Sequence, residues 1–433
     1  MTSRSISTWL LALLALTAAP AIGRAAADSK GSLTPEEQRL INAVDARNVD
    51  FAADLGQAVQ IDSATENLAG VRQLGELFAG QLAELGFESH FVPLPASTGR
   101  AGHLVAEHRG SKGKRVLLIG HLDTVFPGAN FKREGDQVSG AGVADMKGGD
   151  IVLIHALHAL HRAGLLADTQ IIVVMSGDEE APGSPIEITR RDLLDAAKRS
   201  DVALAFESAI GNTGTVARRG FASWTLEAQG ATGHSSGMFS AAVGSGSVFE
   251  TARILQGFYE QLRQLEGITI NPALIAGGVE AELTRTGGTV SGKANIIAQR
   301  TLVRGDLRYL SAAQLAEARA RMEAVVSKHL PRTSAELKFL DDAYPAMAPT
   351  PENYALLAQL DQASRDLGYA EITAFDPRGR GAGDVAFVSP PLPGLDGLGL
   401  GGKGEHTVHE SADLTRAPEL VKRSALLIYR LTR

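Results

Sequence analysis

The run Arg115-Val-Leu-Leu-Ile-Gly-His121-Leu-Asp123-Thr124 ends an unbroken apolar stretch in an imidazole and, two residues later, a carboxylate. Val116 to Ile119 is too apolar to face water, which predicts a strand covered on both faces, as inside a parallel sheet flanked by helices. His121 and Asp123 then sit just past its carboxyl end, where open α/β sheets place their ligands. Alternate residues of an extended segment point the same way. The Asp123 carboxylate is therefore expected to accept a hydrogen bond from the ring nitrogen that His121 does not use, fixing its tautomer. A histidine held in that way is suited to bind a metal.

The same pattern recurs downstream. The apolar run 169–175 ends in Ser176-Gly-Asp-Glu179-Glu180, and the run 202–206 ends in Glu207. A glycine-rich loop, Gly140-Ala-Gly-Val-Ala-Asp145-Met-Lys-Gly-Gly149, opens an apolar helix expected over 150–163. Further helices are expected over 34–55, where Thr-Pro-Glu-Glu supplies an N-cap, over 70–85 and over 191–198, and strands over 87–93 and 103–108. Strand alternating with helix predicts a doubly wound, mostly parallel sheet.

From about residue 214 the texture changes to the alternation of a strand with one wet face, as in Phe221-Ala-Ser-Trp-Thr-Leu-Glu-Ala. A helix (246–265), strands (268–276 and 296–309), a helix (312–328) and a strand (335–340) give the order β-α-β-β-α-β, a ferredoxin-like α+β unit inserted into the first. From about 346 the chain resumes helix, then Asp384-Val-Ala-Phe-Val, then the glycine-rich segment ending in Gly404-Glu-His406, and closes on a helix from 417. A length of 433 residues fits two domains. The expected division is 1–26 a signal peptide, 27–213 the first segment of a catalytic domain, 214–345 an inserted lid or dimerisation domain, and 346–433 the second catalytic segment.

The segment 1–26 has a basic start, a short apolar run and a small-residue end, which reads as a secretory signal and predicts an exported protein, periplasmic or secreted. No later run is long and apolar enough to span a membrane. Removing Arg4 and Arg24 from the 42 basic residues leaves 40 against 49 acidic, a net charge near −9, which argues against nucleic acid as a partner. There is no cysteine, so a metal here must be bound by His, Asp and Glu, and the mature chain relies on its core rather than on disulfides.

His121, Asp123, Asp145, Glu179, Glu180, Glu207 and, from far along the chain, His406 are expected at one end of the sheet. So many carboxylates raise one another's pKa unless cations neutralise them, and two divalent ions would do so. Imidazole with carboxylate suits zinc, with manganese or cobalt as substitutes.

The segments Gly120-His121-Leu-Asp123-Thr, Gly142-Val-Ala-Asp145-Met-Lys-Gly-Gly, Ser176-Gly-Asp-Glu179-Glu180, Phe206-Glu207 and Gly404-Glu-His406 stand in the order and spacing of the co-catalytic zinc peptidases. That family includes bacterial glutamate carboxypeptidase, succinyl-diaminopimelate desuccinylase and aminoacylase, and the chain resembles the first of these branches most. The resemblance implies two zinc ions per subunit bridged by Asp145, with His121 and Glu207 completing one site and Glu180 and His406 the other. It implies Asp123 as the partner of His121, Glu179 as the general base on the attacking water, and a cis peptide between Asp145 and Met146. It also implies a homodimer in which His234, in Gly230-Ala-Thr-Gly-His234-Ser, reaches the partner subunit's site and stabilises the oxyanion. Asn295 and Arg308 would hold the substrate's free carboxylate, and Gly383 would belong to a loop lining the pocket. Arg suits that role because its fork pairs bidentately with a carboxylate. The implied activity is cleavage of the amide to a C-terminal amino acid, glutamate-like as first choice, from a small peptide or N-acyl amino acid. Deacylase or dipeptidase action is the alternative within the family.

Three other patterns compete. Gly233-His234-Ser235-Ser236-Gly237 fits a serine-hydrolase elbow with Asp384 and His406 downstream, but leaves the acidic cluster unexplained. His155, His158 and His161 share helical spacing, yet without nearby acids they read as ordinary histidines, as does His409, while Glu410 is placed to orient its loop. A binding protein that has lost catalysis would not be expected to keep every ligand and Glu179.

Overall fold

The computed structural model describes residues 33–433 except 285 and 341–343, so the expected signal segment lies outside the described residues. At the centre is a six-stranded sheet. Lys112–His121, Thr169–Ser176 and Val202–Ala205 run parallel, and Gly394–Leu395 joins them in parallel from the C-terminal segment. Glu88–Pro93 and Gly102–His108 add an antiparallel edge. Along Lys112–His121, Val116 and Leu118 enter an apolar cluster shared with Leu153 and Leu157 of helix Lys147–Arg162. Leu117 and Ile119 enter another, with Leu193 and Ala196 of helix Arg191–Ala197. A strand covered on both faces has no polar side to display, which is why its sequence does not alternate. Burying one such leucine fully stabilises the fold by roughly 1.5–3 kcal/mol.

Parallel register levels the carboxyl ends of these strands. His121 lies opposite Ser176 and Ile119 opposite Ala205, so Glu179, Glu180 and Glu207 all leave the sheet at the end where His121 sits. Gly149 lets the first turn of helix Lys147–Arg162 press on that end: a Cβ there would lie 1.9 Å from the carbonyl oxygen of Phe206.

The second sheet is antiparallel, with Thr269–Gly278, Arg300–Tyr309, Gly220–Gly230 and Thr333–Phe339 adjacent in that order. Helices Gly246–Leu262 and Ala312–Val326 complete the ferredoxin-like order, and Ala222, Trp224 and Leu226 are buried in the apolar cluster they share. All of this lies in sequence between segments that contribute to the first sheet.

Several expectations need correction. The helix expected over 34–55 is two, Pro35–Arg47 and Phe51–Val59, separated by a short 3-10 turn at Asn48–Asp50. Its start is as read: Thr34 and Glu37 form a reciprocal capping box, at 2.8 and 3.2 Å. The strand expected from 296 begins at Arg300. A hairpin, Glu280–Leu283 with Gly288–Ser291, extends from the second sheet without a clear sequence signal. A further small sheet joins Lys132–Glu134, Gln137–Ser139, Ser411–Asp413 and Gly402–Lys403. Strands of two or three residues are too short to show alternation. This sheet matters because it fastens the turn carrying His406 to the loop carrying Asp145. No described helix is long and apolar enough to cross a membrane.

Candidate active site

The levelled strand ends and the small sheet bring five of the expected residues into two groups. His121, Asp145 and Glu207 form one, and Asp145, Glu180 and His406 the other, each offering ligand atoms within 4.8 Å of one another. Asp145 is shared. Its Oδ1 lies 3.2 Å from His121 Nε2 and its Oδ2 3.0 Å from His406 Nε2, so its two oxygens face opposite groups. Glu180 Oε2 is 3.2 Å from His406 Nε2, and Glu207 Oε1 is 4.0 Å from His121 Nε2. Imidazole and carboxylate atoms converging without a thiolate fit a pair of divalent cations. The Asp145–Met146 peptide is cis. His406 has a positive φ of 57°, a left-handed conformation that its hairpin turn imposes.

His121 faces Asp123 through two groups of that residue. Its Nδ1 is 2.9 Å from the backbone carbonyl of Asp123, whereas the Asp123 carboxylate stands 3.6 Å away. The strand ends at His121, so strict alternation no longer governs Asp123. That carboxylate, fully buried, also accepts from Thr65 Oγ1 at 2.7 Å and from the backbone N–H groups of Glu179 and Glu180 at 2.9 and 3.1 Å. Asp123 thus orients the loop that carries both glutamates as well as lying against the imidazole.

The electrostatics are those of a site built for positive charge. Burial, reinforced by Glu207, pushes the Glu179 carboxyl well above the usual range. Burial raises Glu180 too, against the hydrogen bond from His406, and raises Glu207 to about 7 despite Arg218 and His121. Hydrogen bonds to Asp145 and Glu180 lift His406 to about 11. Asp145 is the exception: burial opposes ionisation, but hydrogen bonds from His121 and His406 hold it well below the ordinary range.

Glu410 holds the bridging loop in place. Its Oε1 accepts from the N–H groups of Ala144 and Asp145 and its Oε2 from that of Gly142, each at 2.8 Å. Glu410→Ala strands these three N–H groups, two of them buried, and is expected to destabilise the fold by roughly 3 kcal/mol and to weaken metal binding. Denaturant unfolding and metal titration of the variant measure both.

Arg218 was not singled out by the sequence. Its guanidinium lies 3.7 Å from Glu207, donates to Asp396 Oδ2 at 2.5 Å and to the carbonyl of Ala382 at 2.5 Å, and so fastens the 379–382 loop beside the cluster. That loop lines a cavity of about 180 Å³ shared with Asp145, Glu179, Glu207 and His406. Gly383 itself packs on Arg218, where a Cβ would meet the guanidinium at 2.7 Å. On the far side of Glu180 a roomier hollow of about 710 Å³ opens between Asp62, Asn67 and Val125.

His234, Asn295 and Arg308 belong to the second sheet and its loops and do not line the cavity around the cluster. His234 is exposed with Nδ1 2.8 Å from Ser236 Oγ, and the Asn295 carbonyl accepts from Ser235 N at 2.9 Å. Arg308 pairs with Asp306 at 3.0 Å and stacks over Phe221. Ser235, Asp384 and His406 form no triad: Asp384 is held by Arg190 at 2.8 Å and by Ser176, and His406 by Asp145 and Glu180. His155 does have a nearby acid, with Nε2 2.8 Å from Asp54, but it is a buried histidine against Phe51 and belongs to neither candidate group.

Comparison with known proteins decides the class. A profile of peptidase family M20/M25/M40 matches residues 117–430. The chain belongs to that family. It is 35% identical over 161 residues to carboxypeptidase G2 of Pseudomonas sp. (strain RS-16), a match spanning 35% of this chain and 37% of that protein. It is 25% identical over 367 residues to succinyl-diaminopimelate desuccinylase of Gluconobacter oxydans (strain 621H), covering 80% of this chain and 89% of that one. A tripeptidase structure from Staphylococcus aureus superposes with a TM-score of 0.67 at 18% identity, over 93% of this chain and 100% of that one. The M20 family metallo-carboxypeptidase Sso-CP2 of Sulfolobus solfataricus gives 0.62 at 13% identity, over 92% and 99%. These two likenesses bear on the fold. Membership in M20/M25/M40 makes the protein a metallohydrolase of the peptidase and amidohydrolase class, and the two groups sharing Asp145 fit it.

Proposed function

We propose that the protein is an exported dinuclear zinc exopeptidase that releases a C-terminal amino acid, glutamate-like as first choice, from small peptides or N-acyl amino acids. One observation carries this reading: Asp145 stands between His121 with Glu207 and Glu180 with His406, and the half-buried Glu179 adjoins both groups through Glu207 and Glu180. Zinc is the metal the donor set favours, with manganese or cobalt as substitutes. Divalent cations bound there supply Lewis acidity toward the scissile carbonyl and acidify water.

The chain's own residues do the rest. Glu179, with its pKa raised by burial, takes the proton of the attacking water and returns it to the departing amine. Asp123 keeps Glu179 in place through its backbone N–H. His234 of the partner subunit donates to the oxyanion, so the active unit is a homodimer joined through residues 214–345 acting as a lid or dimerisation domain. Exposed apolar side chains on the second sheet and its first helix, among them Ile275, Phe249 and Tyr259, suit such a contact. Arg308, with Asn295, holds the substrate's free carboxylate. A second reading within the family is an N-acyl amino acid deacylase or a dipeptidase, and the longer desuccinylase match favours the deacylase of the two.

The test is a release assay over N-blocked amino acids and dipeptides, with and without chelator. The expected result is release of the C-terminal amino acid, abolished by chelation and indifferent to serine-directed phosphonates. Inactivation by phosphonate with indifference to chelator would reverse the reading. Arg308→Ala is expected to raise KM for free-carboxylate substrates by roughly a hundredfold, the loss of about 3 kcal/mol from a charge-assisted pair. Amidated analogues should change little.

A further inference from the structure

Glu179 is held at both ends of its backbone. Its N–H donates to Asp123 Oδ1 at 2.9 Å, and its carbonyl accepts from the phenol of Tyr344 at 2.9 Å. Tyr344 does not belong to the sheet that carries the site. Its backbone pairs with Phe221 of the second sheet in both directions, at 3.0 and 2.9 Å, and its carbonyl accepts from Tyr309 Oη at 2.6 Å. Phe221 is the residue over which the Arg308 guanidinium stacks, 4.6 Å from the ring centroid, and Tyr309 follows Arg308 in the chain. Tyr344 therefore touches the loop of Glu179 with its hydroxyl and the surroundings of Arg308 with its backbone.

The phenol is itself over-determined. Arg190 Nη2 donates to it at 2.7 Å, while the rest of that buried guanidinium is taken by Asp178 at 2.6 Å and Asp384 at 2.8 Å. With its oxygen accepting from Arg190, the hydroxyl proton has one good direction left, toward the Glu179 carbonyl. The ring is only 7% exposed and packs edge-on against Phe387 at 4.9 Å. A rigid aromatic carrying one directed hydrogen bond is suited to transmit position.

We propose that Tyr344 is a positioning residue that sets the general base Glu179 in register with the carboxylate-binding Arg308 across the junction of the two sheets. The proposal rests on the roles assigned to Glu179 and Arg308 above. Substrate held by its carboxylate at Arg308 presents its amide at a distance fixed by the second sheet, and the base must stand at the matching distance. Tyr344 is the contact that couples the two, through Phe221 and Tyr309 on one side and the Glu179 carbonyl on the other. It acts on the geometry of catalysis and touches no substrate.

The experiment compares the full mature protein with its Tyr344→Phe and Tyr309→Phe variants, using the panel substrate that the unaltered enzyme turns over fastest. Tyr344→Phe should lower kcat roughly tenfold, the worth of one buried hydrogen bond, with KM and bound metal unchanged. Tyr309→Phe should lower it less. Amide hydrogen exchange should quicken at 177–181 in Tyr344→Phe and stay as before in Gly220–Gly230. Combined with Arg308→Ala, the loss in kcat/KM should be less than the product of the single losses, since both changes break one coupling. Unaltered kcat and unaltered exchange at 177–181 in Tyr344→Phe would overturn the proposal. A fall in melting temperature with kcat intact would overturn it as well, assigning the phenol to stability alone. Should the unaltered protein hydrolyse no panel member, the functional reading fails on its own, and faster exchange at 177–181 in Tyr344→Phe still reports the clamp on Glu179.

Discussion

Glu179→Gln should keep its metal and lose its turnover. The change removes the group that accepts the proton while preserving size and the backbone bonds to Asp123 and Tyr344. General base catalysis contributes on the order of 10²–10⁴ in rate, so kcat should fall by that factor with KM nearly constant. The variant should be no less stable than its parent. Burial and the neighbouring Glu207 oppose ionisation of Glu179, and a neutral amide escapes that cost. Steady-state kinetics, metal analysis and a melting curve on one preparation separate these effects. A Glu179→Gln enzyme with normal kcat would remove Glu179 from the chemistry.

Asp145→Ala should empty both metal groups at once, whereas His121→Ala should spare the group of Glu180 and His406. The argument is geometric: one carboxylate faces both histidines, at 3.2 and 3.0 Å, so its loss opens both sets of ligands. Bound metal should drop from about two per chain to well below one for Asp145→Ala, and to about one for His121→Ala. Activity should fall below detection in the first. Equal metal loss in the two variants would show that the groups do not share a ligand.

The parts of the molecule legible in its sequence are those governed by short periods. Val116 to Ile119, 169–175 and 202–206 lack alternation because helices cover both faces, and that single fact fixes where their carboxyl ends and acidic neighbours lie. The ferredoxin-like order of the second sheet was readable for the complementary reason, since Gly220–Gly230 buries every other residue. What stayed hidden depends on contacts between distant segments. Arg218 carries no motif, and its importance comes from Glu207, Asp396 and Ala382. Tyr344 is an isolated tyrosine until Glu179 and Arg190 are seen around its hydroxyl. That the Asp123 backbone carbonyl comes nearer to His121 Nδ1 than its carboxylate does is not legible, because two-residue periodicity ends with the strand at His121. The helix 34–55 was drawn whole because a 3-10 turn of three residues interrupts the pattern too briefly to register.

The central claim is that acidic side chains from four separate stretches of chain converge because cations sit among them. Elemental analysis of the protein as purified, in parallel with turnover of its best substrate during chelation and reconstitution, tests this most directly. About two equivalents of a divalent transition metal per chain are expected, with activity lost as they are removed and regained as they return. Folded protein that hydrolyses substrate at an undiminished rate with no bound metal would contradict the account.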